Sequence, residues 1–274
     1  TAPRGGMLPP GAREVVMEAV RSGLHVISGM HQFLDEDVEL AGFARKKGVV
    51  IWDVRKYVRG LEVSSGEKCP YCPVILTVGS DCNTGKMTVS IEIQRGLEDR
   101  GVQAAFAASG QTGMMITGRG IPIDRVVADF ISGATERLIL ETAPGMDIVI
   151  LEGQGSVIHP GYAGVTVGMI SGSLPEGMIL CHQPTRKVVR NYTVSIPPLP
   201  RLVEIYENAI AGIKKIPVVG IALNTFDLDE ESARRAIVAA GNDTGLPATD
   251  PIRFGAGPLV EAIVKLLFCT ARTY

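Results

Sequence analysis

One short segment constrains the fold more than any other part of the chain. An apolar run at 73–78 ends in a glycine-bounded loop, and a pattern of helical period begins at Lys86. The loop comprises Gly79, Ser80, Asp81, Cys82, Asn83, Thr84, Gly85 and Lys86. A strand, loop and helix in this order turn backbone N–H groups inward, and the helix N-terminus and the lysine add positive charge. The segment therefore predicts a phosphate-binding loop in an α/β domain.

The loop departs from the common G-x-x-x-x-G-K-[ST] pattern in two ways. Its first glycine lies one residue earlier, and Met87 occupies the position of the hydroxyl residue that normally helps to hold magnesium. Thr88 follows one place later, about 100° further round the helix, where it is a poor substitute. We therefore predict that residues 79–88 bind phosphate groups, and we leave open whether they support hydrolysis.

The rest of the chain alternates short β-branched apolar runs with longer segments of helical period, which is typical of a parallel sheet covered by helices. We predict a small Rossmann-like domain at 1–68, whose first strand or strands lie outside this sequence. Its end is the polar stretch 60–68, which resembles a linker. A three-layer α/β/α phosphate-loop domain with a mainly parallel sheet follows at 69–274.

Both domains have specific predicted elements. The predicted strands are 24–28, 49–54, 73–78, 102–107, 148–151, 178–181 and 218–223. The predicted helices are 13–22, 35–47, 86–100, 124–142, 200–213, 229–240 and 258–267.

Composition excludes several classes of function. Lys and Arg number 27 against 29 Asp and Glu, so the chain lacks the basic field that a general nucleic-acid surface needs. No apolar run approaches the roughly 18 residues that span a bilayer. The 5 cysteines are irregularly spaced, which favours a reducing cytoplasm over a disulfide framework. Cys69 and Cys72 precede a strand, so we expect a linker turn there rather than a redox pair or a zinc site. We expect no resident metal.

A set of further motifs extends along nearly the whole chain. They are Ser28-Gly29-Met30-His31, Asp53-Val54-Arg55, Gly110-Gln111-Thr112-Gly113, Glu152-Gly153-Gln154-Gly155-Ser156 and His159-Pro160, together with the end of the loop, Gly85-Lys86-Met87-Thr88. The loop by itself is similar to that of dethiobiotin synthetase. The full set, in this order, resembles a two-domain family formerly of unknown function and now associated with D-glutamate N-acetyltransferase. The resemblance implies transfer of an acetyl group from acetyl-CoA to the amine of an acidic amino acid.

The loop is chemically compatible with that implied donor. Coenzyme A carries a pyrophosphate and a ribose 3′-phosphate, and no phosphoryl group is transferred, so no magnesium-binding hydroxyl is required at Met87. Residues 79–88 would hold the phosphates. Asn224, at the end of a predicted strand, lies where related phosphate-loop proteins recognise the adenine base.

Acetyl transfer to an amine needs a base, a hydrogen-bond donor that stabilises the oxyanion, and residues that bind the acceptor. Glu152 follows a predicted strand and His159 stands in a Gly/Pro-rich loop seven residues on, and either could be the base. Lys86 or the loop amides could stabilise the oxyanion.

We expect arginine to bind the carboxylates of the acceptor, because its planar guanidinium pairs with them bidentately. Arg119, in a predicted loop, and Arg55, after a strand of the first domain, are the candidates. Gln111 and Thr112, in a predicted strand-to-loop segment, could donate further hydrogen bonds to the substrate.

Two alternatives remain open on the sequence. One is an ATP-dependent ligase or kinase of the dethiobiotin synthetase type that uses ATP and magnesium with Thr88; Met87 counts against it. The other is a nucleotide-binding module without chemistry, which the pair Glu152 and His159 counts against. In each case we expect a small-molecule ligand, no membrane or nucleic-acid partner, and a homo-oligomer.

Overall fold

Two parallel sheets organise the chain, and the computed structural model describes residues 6–9, 11–56 and 58–270. The first sheet pairs β1 (Val26–Ser28) with β2 (Ile51–Asp53). Helices α1 (Ala12–Arg21) and α2 (Val38–Lys47) pack against each other beside it. Both predicted strands of this domain are shorter than expected, and a separate 3₁₀ turn at Leu34–Glu36 precedes α2.

The second sheet has six strands among the described residues, and all its pairings are parallel. They are β3 (Val74–Gly79), β4 (Ala104–Ala107), β5 (Ile148–Leu151), β6 (Gly177–His182), β7 (Val218–Leu223) and β8 (Ala248–Thr249). Their order is β4-β5-β3-β6-β7-β8, so β3 lies inside the sheet between β5 and β6. The chain passes from β3 to β4 on one side and later from β5 to β6 on the other, so a crevice opens at the carboxyl end of β3, where ligands of such sheets bind.

Helices cover both faces of this sheet. They are α3 (Lys86–Glu98), α4 (Gln111–Thr117), α5 (Ile131–Thr142), α6 (Ala163–Ser173), α7 (Leu199–Glu207), α8 (Glu230–Thr244) and α9 (Gly257–Thr270). Apolar side chains of α3 and α9 form one core with the sheet, and those of α5, α6, α7 and α8 form a second core on the opposite face. The three-layer α/β/α fold with a parallel sheet is therefore confirmed.

Helix α6 and the start of α5 differ from the prediction. The predicted helix at 124–142 begins as two 3₁₀ turns, and regular helix starts only at Ile131. Helix α6 was not predicted, because it is apolar on all sides and rich in glycine. Those glycines allow close packing on α5: a β-carbon at Gly172 would lie 2.1 Å from the Ser132 carbonyl oxygen. Tertiary contact thus stabilises a helix whose glycines lower its intrinsic helix propensity and whose sequence has no amphipathic pattern.

The first domain packs on the carboxyl end of β4. Val54 joins Phe106 and Met114 in a small buried cluster, and Trp52 packs against it. The chain then runs at 60–68 over α5, where a β-carbon at Gly133 would lie 1.8 Å from the Glu62 carbonyl oxygen. None of the helices in the described part of the chain is long and apolar enough to cross a membrane.

Candidate active site

The phosphate loop has a conformation that only glycine permits at its first position. A β-carbon at Gly79 would lie 2.6 Å from Thr84 Oγ1 and 3.0 Å from Lys86 Nζ. Gly85 has φ 101° and Asn83 has φ 54°, both in the left-handed region. The backbone therefore turns tightly around the space in front of Lys86, as the sequence predicted.

Polar groups inside the loop fix its shape and leave donors for a ligand. Lys86 Nζ donates to the Asp81 carbonyl oxygen at 2.9 Å, and Thr84 Oγ1 donates to the same oxygen at 3.2 Å. Within the described residues, the structure shows no acceptor for the amides of Asn83 and Gly85. Burial lowers the pKa of Lys86. Free amides, a helix N-terminus and a desolvated lysine make a cradle suited to phosphate.

A buried tyrosine supports the base of the loop, and sequence analysis did not find it. The Tyr206 hydroxyl donates to the Gly79 carbonyl oxygen at 2.6 Å and accepts from the Gly79 and Val157 amides at 3.3 and 3.2 Å. Burial raises the pKa of Tyr206 to about 12, so the hydroxyl keeps its proton. Tyr206 lies 127 positions from Gly79, and only its place in the apolar stripe of α7 hints at burial.

Asp81 connects the loop to the segment that follows β6. This carboxylate is fully buried, and its Oδ1 accepts from the Cys82 amide at 2.7 Å. Its Oδ2 accepts from Arg186 Nη1 at 3.0 Å and from the Arg190 amide at 2.8 Å. Sequence analysis missed both arginines, although a basic run directly after a strand end was the available signal.

Glu152 lies directly after β5, at the carboxyl edge of the sheet, and is 5% exposed. Its Oε2 accepts hydrogen bonds from the Ser109 and Gly110 amides, each at 3.0 Å, at the start of α4. Burial raises the pKa of Glu152 to about 7, although these two bonds and Lys86 act in the opposite direction. The side chain can therefore hold or release a proton near neutrality.

Two glycines bring Glu152 close to both the loop and α4. A β-carbon at Gly153 would lie 1.7 Å from the Thr77 carbonyl oxygen and 3.4 Å from Lys86 Cδ, so the backbone after Glu152 passes directly beside the lysine. A β-carbon at Gly113 would lie 2.6 Å from Glu152 Oε2. Glu152 thus stands between the phosphate loop and the N-terminus of α4.

His159 is buried on the other side of the loop. Its Nδ1 accepts a hydrogen bond from the Gly161 amide at 3.1 Å, so in the neutral ring the proton is on Nε2, which lies 3.9 Å from Asp81 Oδ1. The ring stacks on Tyr162, with centroids 4.5 Å apart. Burial lowers the pKa of His159. The geometry makes Nε2 a donor toward the loop rather than an acceptor of protons.

Three potential metal ligands meet at the loop, but their surroundings favour an anion. One ligand atom each from Asp81, Cys82 and His159 lies within 4.8 Å of the others. Arg186 already pairs with Asp81, and the proton on His159 Nε2 occupies the lone pair that a metal would need. Burial raises the pKa of the Cys82 thiol, with Lys86 among the charges that oppose this, so a resting thiolate is not favoured.

Three predicted substrate residues belong to α4 and its end. Gln111 and Thr112 open this helix, which corrects the predicted strand-to-loop segment, and Arg119 is exposed in the short turn that follows it. Gln111 packs against the first domain, since a β-carbon at Gly29 would lie 3.0 Å from Gln111 Cγ. Their contact with substrate stays a prediction.

The two other predicted ligand-binding residues lie apart from α4. Arg55 is buried and forms an ion pair with Asp124, and its Nη1 lies 2.8 Å from His31 Nε2. Asn224 follows β7, and its Nδ2 would be 3.9 Å from a β-carbon at Gly85, so it does lie beside the loop. Their roles also stay predictions.

A glycine-bounded phosphate loop at the carboxyl end of an inner parallel strand, with a covering helix starting at its lysine, defines an α/β phosphate-loop protein. Comparison with family models gives the narrower class. Residues 62–260 match the P-loop domain of a family described as a domain of unknown function (DUF1611_C). Residues 1–57 match its Rossmann-like domain (DUF1611_N). The chain belongs to this family.

Relatives of known name and structure agree with this assignment. The chain is 37% identical over 270 residues to a D-glutamate N-acetyltransferase of Tritonibacter scottomollicae, covering 97% of this chain and 80% of that protein. It is 33% identical over 261 residues to a protein of the same name from a Pseudoalteromonas species, covering 93% and 77%. A crystal structure of a DUF1611 family protein from Anabaena variabilis is 39% identical, with a TM-score of 0.92, and the match covers 96% of this chain and 78% of that one.

Proposed function

We propose that this protein is an N-acetyltransferase that moves an acetyl group from acetyl-CoA to the amine of an acidic amino acid, with D-glutamate as the first candidate. The observation that carries the proposal is the buried Glu152 carboxyl, with a pKa of about 7, beside a phosphate loop. Two relatives named D-glutamate N-acetyltransferase, matching more than nine tenths of this chain, support the choice of acceptor.

The loop suits a donor whose phosphates are bound and not transferred. The amides of Asn83 and Gly85 and the ammonium group of Lys86 would take the pyrophosphate of CoA, and Asn224 would contact its base. Met87 packs against the apolar cluster at the domain contact, so no hydroxyl occupies the position that binds magnesium in ATP-hydrolysing relatives of this loop.

We assign the base to Glu152. An ammonium group has no lone pair, so the acceptor must lose a proton before its nitrogen attacks the acetyl carbonyl carbon. The Glu152 carboxylate would take that proton; the nitrogen–carbon bond forms, the carbon–sulfur bond breaks, and the leaving CoA thiolate takes up the second proton that the attacking nitrogen must lose to become the amide. His159 presents Nε2–H and would instead donate a hydrogen bond. Lys86 or the loop amides would stabilise the oxyanion.

The acceptor would lie on the α4 side of Glu152. Arg119 is exposed, and no carboxylate in the described part of the chain pairs with it, so it would be free to bind a substrate carboxylate. Arg55 would first have to exchange Asp124 for the substrate. Gln111 and Thr112, at the start of α4, would contribute hydrogen bonds. We further infer that the protein is cytoplasmic and forms a homo-oligomer; light scattering of the purified protein tests the oligomeric state.

A paired assay tests the function. The protein is incubated with acetyl-CoA and D-glutamate while free thiol is followed, and in parallel with ATP and magnesium while phosphate is followed. We expect thiol release that depends on D-glutamate and no phosphate release; L-glutamate, D-aspartate and D-glutamine define the acceptor range. Phosphate release without thiol release would point to a ligase or kinase. Tight binding of ATP or CoA with neither release would point to a sensor.

A further inference from the structure

The segment that follows β6 forms an antiparallel hairpin over the phosphate loop. We call residues 183–196 the basic hairpin. The Val189 amide donates to the Val194 carbonyl oxygen at 2.8 Å, and the Ile196 amide donates to the Lys187 carbonyl oxygen at 2.9 Å. Asn191, with φ 67°, lies in the turn. The hairpin therefore has a defined turn. It lies beside the phosphate loop but is not part of the sheet that carries the loop.

Contacts on two sides fix the hairpin across the mouth of the loop. Arg186 Nη1 donates to Asp81 Oδ2 at 3.0 Å and to the Cys82 carbonyl oxygen at 2.6 Å. On the opposite side, Tyr192 meets the edge of the His159 ring, with centroids 5.0 Å apart. The charge of Arg186 is therefore paired with the Asp81 carboxylate. Arg186 holds the hairpin in place and is not free to bind a ligand.

Arg190 is different, because only its backbone is engaged. Its amide donates to Asp81 Oδ2 at 2.8 Å, while its side chain is exposed. Across residues 6–9, 11–56 and 58–270, no carboxylate forms an ion pair with the Arg190 guanidinium. Its charge nevertheless reaches the loop: burial raises the pKa of the Cys82 thiol, and Lys86, Arg186 and Arg190 act against that rise.

A guanidinium group without a counter-ion, on a residue whose backbone amide is hydrogen-bonded to the loop, is suited to an anion that extends out of the cradle. Asp81 is not its partner: Asp81 Oδ2 accepts from Arg186 Nη1 and from the Arg190 amide, and the ion pair of Asp81 is with Arg186. Glu152 is bonded to the start of α4, whereas Arg190 is bonded to the loop itself. Arg190 therefore borders the loop, where the phosphates of the donor would lie.

We propose that Arg190 binds a second phosphate group of the donor, one that lies outside the loop, and thereby selects a donor with two separate phosphate groups. This inference rests on the proposed function, because the ribose 3′-phosphate of CoA is the group that meets the requirement. A planar guanidinium can donate two parallel hydrogen bonds to a phosphate. A carboxylate of the acceptor has similar chemistry, so the experiment separates the two anions.

Calorimetric titration with CoA and with 3′-dephospho-CoA, without acceptor, tests the inference. We expect Arg190→Gln to weaken CoA binding about tenfold, as loss of a charge-assisted contact does, and to change 3′-dephospho-CoA binding less than about twofold. Lys187→Gln is the matched control: it removes a charge from the same hairpin, but its Nζ already donates to the Pro184 carbonyl oxygen. It should leave both affinities unchanged. Because the Arg190 side chain is exposed, thermal unfolding of the variant should match wild type.

Each other outcome overturns a defined statement. Equal weakening of both ligands, or no weakening of CoA, overturns the assignment of Arg190 to the second phosphate. A raised KM for D-glutamate with unchanged CoA binding also overturns it, and assigns Arg190 to the acceptor. Wild-type protein that does not bind CoA overturns the proposed function and this inference together.

Discussion

Replacing Glu152 with glutamine should stabilise the folded protein at neutral and alkaline pH while removing its proposed catalytic base. The carboxyl is buried, and burial raises its pKa from 4.5 to about 7. The folded state therefore binds this proton more tightly than the unfolded state. As pH rises from the ordinary pKa to the folded value, wild-type stability falls, because the carboxyl ionises in the unfolded state while burial keeps it protonated in the folded state.

The size of the effect follows from the same values. The ordinary and the folded pKa of Glu152 lie between 2 and 3 pH units apart. At about 1.4 kcal/mol per unit, the free energy of unfolding of wild type falls by about 3 kcal/mol once pH exceeds about 7. Glutamine does not titrate, and its Oε1 can still accept from the Ser109 and Gly110 amides. The variant should match wild type below about pH 4.5 and exceed it by about 3 kcal/mol near pH 8.

Urea unfolding of both proteins across this pH range measures the difference. Glu98→Gln is the control, because it makes the same chemical change at an exposed position on α3. In the acetyl-transfer assay the variant should lose about 10²-fold to 10⁴-fold in rate, and wild-type kcat/KM should rise with pH through about 7. Stability curves that run parallel for wild type and Glu152→Gln would refute the reasoning, since they would mean that the carboxyl is not desolvated.

Three other changes test the loop and its supports. Lys86→Ala should weaken CoA binding by about 10-fold to 100-fold in calorimetry without raising the KM for the acceptor; equal losses would argue against its role. Gly153→Ala should lower the free energy of unfolding by about 3 kcal/mol or more because of the backbone clash, whereas Gly164→Ala, with open space around it, should raise it by about 0.5 kcal/mol. Tyr206→Phe should lower it by about 1–3 kcal/mol, measured in urea, because the Gly79 carbonyl and the Val157 amide lose their buried partner.

Local sequence signals predicted most of the elements of the larger domain. The strand 148–151 and the strand 218–223 were predicted at their observed bounds, because each is a short apolar run that is buried on both faces. Helix α6 was missed, because its stability depends on glycine contacts with α5 rather than on an amphipathic pattern. The 3₁₀ turns before α5 were also missed, since helical period continues through them in the sequence.

The candidate site likewise has some residues that local sequence predicted and some features that depend on tertiary contacts. Glu152 and His159 were predicted because both follow a strand end in a glycine-rich segment, but sequence alone did not separate their chemistry. The hydrogen bond from the Gly161 amide to His159 Nδ1 and the burial of Glu152 are tertiary features, and they favour Glu152 as the base. Arg186 and Asp81 are 105 positions apart, so no local sequence pattern predicts their ion pair.

The sequence by itself determined that a strand, a glycine-bounded loop and a lysine-headed helix occur in order at 74–86, because backbone conformation there depends on neighbouring residues. Only the tertiary structure decided which distant groups surround that loop. Strand order brings Glu152 beside Lys86, and the basic hairpin brings Arg186 and Arg190 onto Asp81. The pKa of Glu152 and the ion pairing of Arg186 depend on burial and on partners far along the chain, which only the folded arrangement supplies.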